Sequence, residues 1–266
     1  MKRLLHTLCC GLAALAAGCQ SEYHAYDTRV TGTRDIHARN IPAIEQACSG
    51  KRTIRFAVIS DTQRWYDETS AAVAAINRRD DLDFVIHAGD MTDFGLRAEF
   101  ERQRDLLEKL RLPYVALIGN HDCLATGATV FRKIFGPVDF AFTAGSVRFI
   151  CLNTNALEFD YRGVPDYGFV EAELAAFPAT CDRMIAVMHA SPRSEQFDGA
   201  PAERLHALLR RFPQFDLCVH GHGHSYEITE PFEDGVTYIQ NDAIEKNNYL
   251  IYTVTEEGWT HEKVDF

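Results

Sequence analysis

Absences narrow this chain before any motif does. None of its 266 residues belongs to an apolar run long enough to cross a bilayer comfortably. No internal repeat, no Pro-, Ser- or Gly-rich tract and no break in composition divides it, so one main domain is expected. Positive charge is short: 27 Lys and Arg stand against 38 Asp and Glu, a formal net charge of −11. A nucleic-acid-binding surface needs a basic stripe, and none is expected here. A phosphorylated small molecule is still admissible, because bound cations reverse a local field. No C-x-x-C pair marks a zinc knuckle. What is present is core material, 46% hydrophobic and 11% aromatic, enough for a substantial interior.

The start reads as a leader. Met1-Lys2-Arg3 is positive, Leu4 to Gly18 is apolar, and small residues precede Cys19. The pattern Leu15-Ala16-Ala17-Gly18-Cys19 resembles a bacterial lipobox, which implies cleavage before Cys19 and lipidation there. A plain secretory signal is the other reading. Removal takes Lys2 and Arg3 and no acid, so the charge falls from −11 to −13. Both readings export the chain. Gln20 in place of Asp resembles lipoproteins sent to the outer membrane, so a periplasmic or cell-surface protein is expected, held to the membrane by its lipid alone. The expected layout is residues 1–18 signal peptide, 19–50 tether and short lead-in, and 51–266 the domain. Gln20 to His37 is polar and aperiodic, as a tether would be. Asn40 to Cys48 reads as a helix with Asn40 as its cap. Five cysteines remain beyond Cys19. Cys151 and Cys218 lie in apolar strands, a Cys48–Cys181 pair is open, and Cys123 is a packing residue with thiolate ligation as its rival.

Along the chain, Ile54–Ile59, Phe84–Ala88 and Tyr114–Ile118 read as buried strands. Helical patterns at Thr69–Arg78 and Leu96–Leu110 separate them, which implies parallel strands with right-handed crossovers. The second half is richer in strands: a hairpin over Phe140–Asn153, then Met184–Met188 and Phe215–Val219, with helices at Val170–Phe177 and Ala202–Phe212. Val236–Gln240, Tyr249–Val254 and Trp259–Val264 read as antiparallel strands. Two mixed sheets with helices outside would bury these elements.

The strands end in polar clusters, and ligands collect at the carboxyl ends of parallel strands. Asp61-Thr62-Gln63 follows the first strand and Gly89-Asp90-Met91-Thr92-Asp93 the second. Gly119-Asn120-His121-Asp122 follows the third. His189 follows one later strand and Gly221-His222-Gly223-His224 another. Carboxylates, an amide oxygen and imidazoles together suit divalent transition metals. Two such ions can hold both the nucleophilic and the substrate oxygens of a phosphoryl transfer.

The five clusters resemble the calcineurin-like metallophosphoesterase superfamily, whose pattern is D-x-H, G-D-x-x-D, G-N-H-D/E, a lone His and G-H-x-H. The resemblance spans residues 54–224 and implies that family's αββα sandwich. Carried over by position, Asp61 and His224 would bind one metal, and Asn120, His189 and His222 the other, with Asp90 bridging. His121 would be the general acid, its ring fixed by Asp122. A hydroxide bridging the two metals would attack phosphorus directly, with no covalent enzyme intermediate. The departure is Gln63, where the family usually has His. A neutral amide oxygen suits Mn²⁺ better than Zn²⁺, so two divalent ions are expected (Mn, Fe or Zn), with Mn favoured at Gln63.

Trp65, Tyr66, Arg162 and Arg193 stand in loops on the same side and are candidates to line a substrate cleft. His37, His206 and His261 read as surface residues, and His87 as a core histidine. The expected substrate is small and phosphorylated, a phosphodiester in preference to a monoester. Two rivals stand beside this reading. One is a binding protein that kept the fold and lost turnover. The other is an envelope enzyme cutting phospholipid or lipid A headgroups, for which Trp65, Phe94 and Phe197 would supply an apolar rim.

Overall fold

A computed structural model describes residues 24–266. The leader, Cys19 and the first residues of the expected tether lie outside the described residues. Helix α1 (Ile36–Cys48) precedes two strand–helix steps and a third strand: β1 (Ile54–Ile59), α2 (Tyr66–Ile76), β2 (Phe84–His87), α3 (Arg97–Leu107) and β3 (Tyr114–Ala116). Helix α4 (Gly127–Ile134) leads to the hairpin β4 (Phe140–Ala144) and β5 (Val147–Leu152). Then come α5 (Tyr167–Ala175), β6 (Arg183–Met188), α6 (Gly199–Leu209) and β7 (Leu217–His220). The chain closes with β8 (Glu227–Thr229), β9 (Thr237–Gln240), β10 (Asn248–Thr255) and β11 (Gly258–Asp265).

These strands form two mixed sheets, ordered β11-β10-β1-β2-β3 and β4-β5-β6-β7-β9-β8. Strands β1, β2 and β3 are parallel, as are β5, β6, β7 and β9, while β10 is antiparallel to β1. Period-two alternation decides which face each side chain takes. In β1, Phe56 and Val58 enter the layer between the sheets, and Ala57 and Ile59 face α2, α3 and α4. In β6, Ile185 and Val187 point inward, whereas Met184, Ala186 and Met188 pack under α5 and α6. Aromatic rings fill the middle layer: Phe56 stacks on Phe84 and Tyr252, each at 5.1 Å, and meets Phe149 edge-on at 5.2 Å. Each fully buried Phe contributes roughly 1.5–3 kcal/mol by leaving water. The expected αββα sandwich is the architecture found.

Several expectations change in detail. Helix α1 begins at Ile36, so Asn40 is not its cap but lies inside it and buried, with its Nδ2 donating to Tyr114 O at 2.8 Å. Nearby, Ala116 N donates to His37 Nε2 at 3.3 Å. Both contacts occupy backbone groups of β3, an edge strand, so α1 protects that edge. His37 is therefore buried rather than on the surface, and His206 is buried too, between Tyr238 and Asp234. The segment read as a free tether is docked where it is described: Val30 is buried, Thr31 N donates to Glu101 at 2.7 Å, and Arg104 reaches Thr31 O and Thr33 O. Strand β9 runs parallel to β7 and antiparallel only to the short β8, which the sequence did not reveal. Cys48 and Cys181 are free thiols and make no pair. Among the described residues no helix is long and apolar enough to cross a membrane.

Candidate metal centre

The carboxyl ends of β1, β2, β3, β6 and β7 bring Asp61, Asp90, Asn120, His189, His222 and His224 to one place. Asn120 Oδ1 lies 3.1 Å from His189 Nε2 and 3.0 Å from His222 Nδ1. Asp90 Oδ2 is 3.4 Å from His189 Nε2. His224 Nε2 is 3.4 Å from Asp61 Oδ1, and the Asp61 and Asp90 carboxylates both reach within 4.8 Å of His189. The turns that deliver these groups are strained. Asp61, Gln63, Asp90, His222 and His224 all have left-handed backbone, with φ of 51°, 35°, 56°, 79° and 56°. Such residues cost of order 1–3 kcal/mol each and persist where the surroundings hold them.

Cross-loop hydrogen bonds hold them here. Asp61 N donates to Gly89 O at 3.0 Å, Gln63 N to Asp90 O at 3.1 Å and Gly221 N to His189 O at 3.2 Å. Gly221 is required for closeness: a Cβ there would stand 2.0 Å from Ser60 Oγ and 2.8 Å from Asp61 Oδ2.

The donor set fits divalent cations. Asp61 Oδ1 is buried with no hydrogen bond and only the His224 ring at 3.4 Å, a carboxylate oxygen of the kind a cation would satisfy. Burial raises the Asp61 carboxyl, but the His224 and His189 imidazoles hold it below its ordinary range. Burial lowers His189, yet the Asp90 and Asp61 carboxylates outweigh it and push the imidazole up to about 10. Two buried carboxylates thus call for positive charge between them. His189 is also oriented for ligation, since Nδ1–H donates to Ala88 O at 2.8 Å and Nε2 faces Asp90 and Asn120. Gln63 is buried beside the same cluster, and its side chain enters no hydrogen bond among the described residues.

His121 stands at the rim of the cluster. Its N–H donates to Asp90 Oδ1 at 3.0 Å, and its ring Nδ1 donates to the main-chain O of Asp93 at 2.8 Å. Asp122 was expected to orient that ring and does not. Its fully buried carboxylate accepts from Gly119 N, Met91 N, Thr92 N and Thr92 Oγ1, and so ties the β2 and β3 turns together. Cys123 packs in the turn, its Sγ donating to Gly119 O at 3.3 Å, and burial raises its thiol.

The substrate-side candidates separate. Arg193 lines a cavity of about 380 Å³ that His222 also lines, with Glu195, Glu227, Glu230 and Gln240. Arg162 is exposed and makes no side-chain hydrogen bond or ion pair among the described residues. Trp65 is partly buried against the core outside the first sheet, and Tyr66 lies under Arg102, 3.9 Å from its ring centre. Of the expected apolar rim, Phe94 is exposed at 56%, but Phe197 is wholly buried. Two features escaped the sequence reading. The Asn153-Thr154-Asn155 run at the end of β5 is buried and braces the centre through Asn155 Nδ2 to Ile118 O and Thr154 Oγ1 to Ala190 O. A polar run closing an apolar strand was the available signal. Glu195, 2.6 Å from His222 Nε2, carried no signal in the sequence.

Comparisons with known proteins place this geometry. The family model described as calcineurin-like phosphoesterase matches residues 54–226. A 3',5'-cyclic-nucleotide phosphodiesterase of Nostoc sp. is 27% identical over 153 residues, 55% of this chain and 57% of that protein. A probable cyclic nucleotide phosphodiesterase of Rhodopseudomonas palustris is 36% identical over 178 residues, 61% of this chain and 58% of that protein. The chain thus spans well under two thirds of the length of either relative. The solved structure of a dimetal phosphatase from Danio rerio shares the fold at 12% identity, with a TM-score of 0.61, covering 80% of this chain and 99% of that one. With the match over residues 54–226 and the two-sheet sandwich that carries it, the chain belongs to the calcineurin-like phosphoesterase family.

Proposed function

We propose that this chain is a metal-dependent phosphohydrolase that cleaves a small phosphodiester. The observation that carries the reading is the cluster of Asp61, Asp90 and His189, joined to Asn120, His222 and His224 by contacts of 3.0–3.4 Å, which includes a buried Asp61 oxygen with no hydrogen bond. Asp61 and His224, with Gln63 beside them, would hold one ion; Asn120, His189 and His222 would hold a second, and Asp90 stands between. Divalent ions held there supply positive charge to the phosphoryl oxygens and make an attacking water more acidic. His121 serves the leaving group. With Nδ1–H held by Asp93 O, its imidazolium form presents Nε2–H to the departing oxygen. Asp90 aligns it by accepting its main-chain N–H. The two relatives described as cyclic-nucleotide phosphodiesterases make cyclic nucleotides the first diesters to try.

The test is a substrate panel: 3',5'- and 2',3'-cyclic nucleotides, bis-p-nitrophenyl phosphate and p-nitrophenyl phosphate, each with the metal-stripped chain and with Mn²⁺, Fe²⁺ or Zn²⁺ restored. Metal-dependent turnover with diesters ahead of monoesters is expected, and Asp90→Ala should abolish it. Monoester turnover exceeding diester turnover would overturn the diester assignment. His121→Ala should slow diesters with poor leaving groups about 10²–10⁴-fold. It should slow p-nitrophenyl esters much less, because p-nitrophenolate leaves without a proton.

A further inference from the structure

We infer that Glu195 is a positioning residue: it fixes which ring nitrogen of His222 faces the metal-ligand cluster. The inference builds on the two-ion reading above. His222 presents Nδ1 to Asn120 Oδ1 at 3.0 Å and Nε2 to Glu195 Oε1 at 2.6 Å. A neutral imidazole carries one N–H, and only the nitrogen without it can hold a cation. Asn120 Oδ1 and Glu195 Oε1 both only accept and so compete for that proton; the carboxylate is charged and lies closer, 2.6 Å against 3.0 Å, so Glu195 draws the proton to Nε2. The Nδ1 lone pair is then left facing Asn120 and His189. The paired ring is set in the opposite sense, with His189 Nδ1–H on Ala88 O and Nε2 turned inward. One histidine is thus fixed by a buried carbonyl and the other by a carboxylate at the protein surface.

A lone surface acid would count for little, and the Glu195 side chain is 71% exposed. The segment that carries it is what gives the contact weight. Between β6 and α6, Ser194 and Phe197 form an antiparallel bridge, Arg193 N donates to Phe197 O at 2.9 Å, and Ser194 Oγ donates to Ser191 O at 2.7 Å. The Phe197 side chain is wholly buried in the core under the second sheet. Gln196 is buried as well, accepting Leu157 N at 3.1 Å through its main-chain O and reaching Glu158 through its amide. Glu195 therefore sits on a turn anchored by the residues that follow it. His222 needs such a partner: its backbone is in the left-handed region at φ 79°, and its N–H is held by Asp61 Oδ2 at 3.1 Å. Among the described residues, only Glu195 meets its outer nitrogen.

The experiment compares the full chain with Glu195→Ala, Glu195→Gln and Glu230→Ala. Mn²⁺ binding is read by calorimetry, and the His222 tautomer by long-range ¹H–¹⁵N spectra of the metal-free protein. Glu195→Ala should weaken one of two Mn²⁺ sites by roughly 10–100-fold, leave the other unchanged, and lose the Nε2–H signature of His222. Glu195→Gln, whose amide oxygen still accepts, should recover most of both. Glu230→Ala removes a carboxylate from the same cavity wall and should change neither. Wild-type affinities and an unshifted tautomer in Glu195→Ala would overturn the role. So would an equal loss in Glu230→Ala, which would make the effect one of cavity charge. If the wild type binds fewer than two ions, the two-ion reading falls and this inference with it. If it binds two and Glu195→Ala matches it, only the role of Glu195 falls.

Discussion

At Gly119 a hydrogen occupies the place where a methyl carbon would stand 2.0 Å from Asp90 Oδ1 and 2.2 Å from Asp90 N. Both contacts are rigid, because Asp90 is itself held in a left-handed turn. Gly119→Ala should therefore push Asp90 off its position, destabilise the fold by about 1–3 kcal/mol as overpacking does, and remove metal-dependent turnover. Chemical denaturation and metal content together check this, and an alanine variant with unchanged metal content would contradict it. At this scale the ligand types were legible, because Asp, Asn and His at strand ends are few and chemically distinct. The partner of His121 was not, because the acceptor is the main-chain oxygen of Asp93, a group every residue carries. Asp122, next to His121 in sequence, points instead into the β2 and β3 turns. Adjacency along a turn does not decide which way a side chain faces.

At the scale of elements, α1 shows what pattern reading finds and misses. The helix was expected from Asn40 as its cap, yet it starts four residues earlier at Ile36, and neither that start nor its purpose was legible. Asn40 and His37 look like surface polar residues until β3 is known to be an edge whose backbone they meet. Helix α4 went unread because Val130, Phe131 and Ile134 are β-branched or aromatic over only eight residues. The direction of β9 was likewise hidden, since a short apolar run does not say whether its neighbour is parallel. Burying His37 has a consequence for acid stability. Burial among aromatic rings lowers its imidazole to about 4, against 6.5 when unfolded. The unfolded chain then binds the extra proton, so this contribution is present above pH 6.5 and is lost as pH falls toward 4. Its full size is roughly 3 kcal/mol. His37→Phe should lower stability at pH 7, through loss of the acceptor for Ala116 N, and should flatten the decline between pH 6.5 and 4. Denaturant midpoints across that range measure both, and an unchanged slope would contradict the assignment.

For the molecule as a whole, the two-sheet layer explains why so much was legible. Period-two alternation in β1 and β6 sends one set of side chains between the sheets and the other under helices, and that alternation is written in the sequence. The same layering sets the carboxyl ends of β1, β2 and β3 against those of β6 and β7, so motifs distant in the chain converge. Lipid anchoring at Cys19 belongs to this scale as a proposal. Cys19→Ser should move the protein from the membrane fraction to the soluble fraction, and a variant that still sediments with membranes would remove the anchor from the account. As proposed above, two ions assembled by these strand ends perform the reaction. The most direct measurement is turnover of bis-p-nitrophenyl phosphate by the metal-stripped chain as Mn²⁺ is added in known equivalents. Activity that rises until two ions are bound per chain, and is absent in Asp90→Ala carrying the same added metal, is the expected result. Turnover at zero metal, or none at any equivalents in a chain that binds two ions, would contradict it.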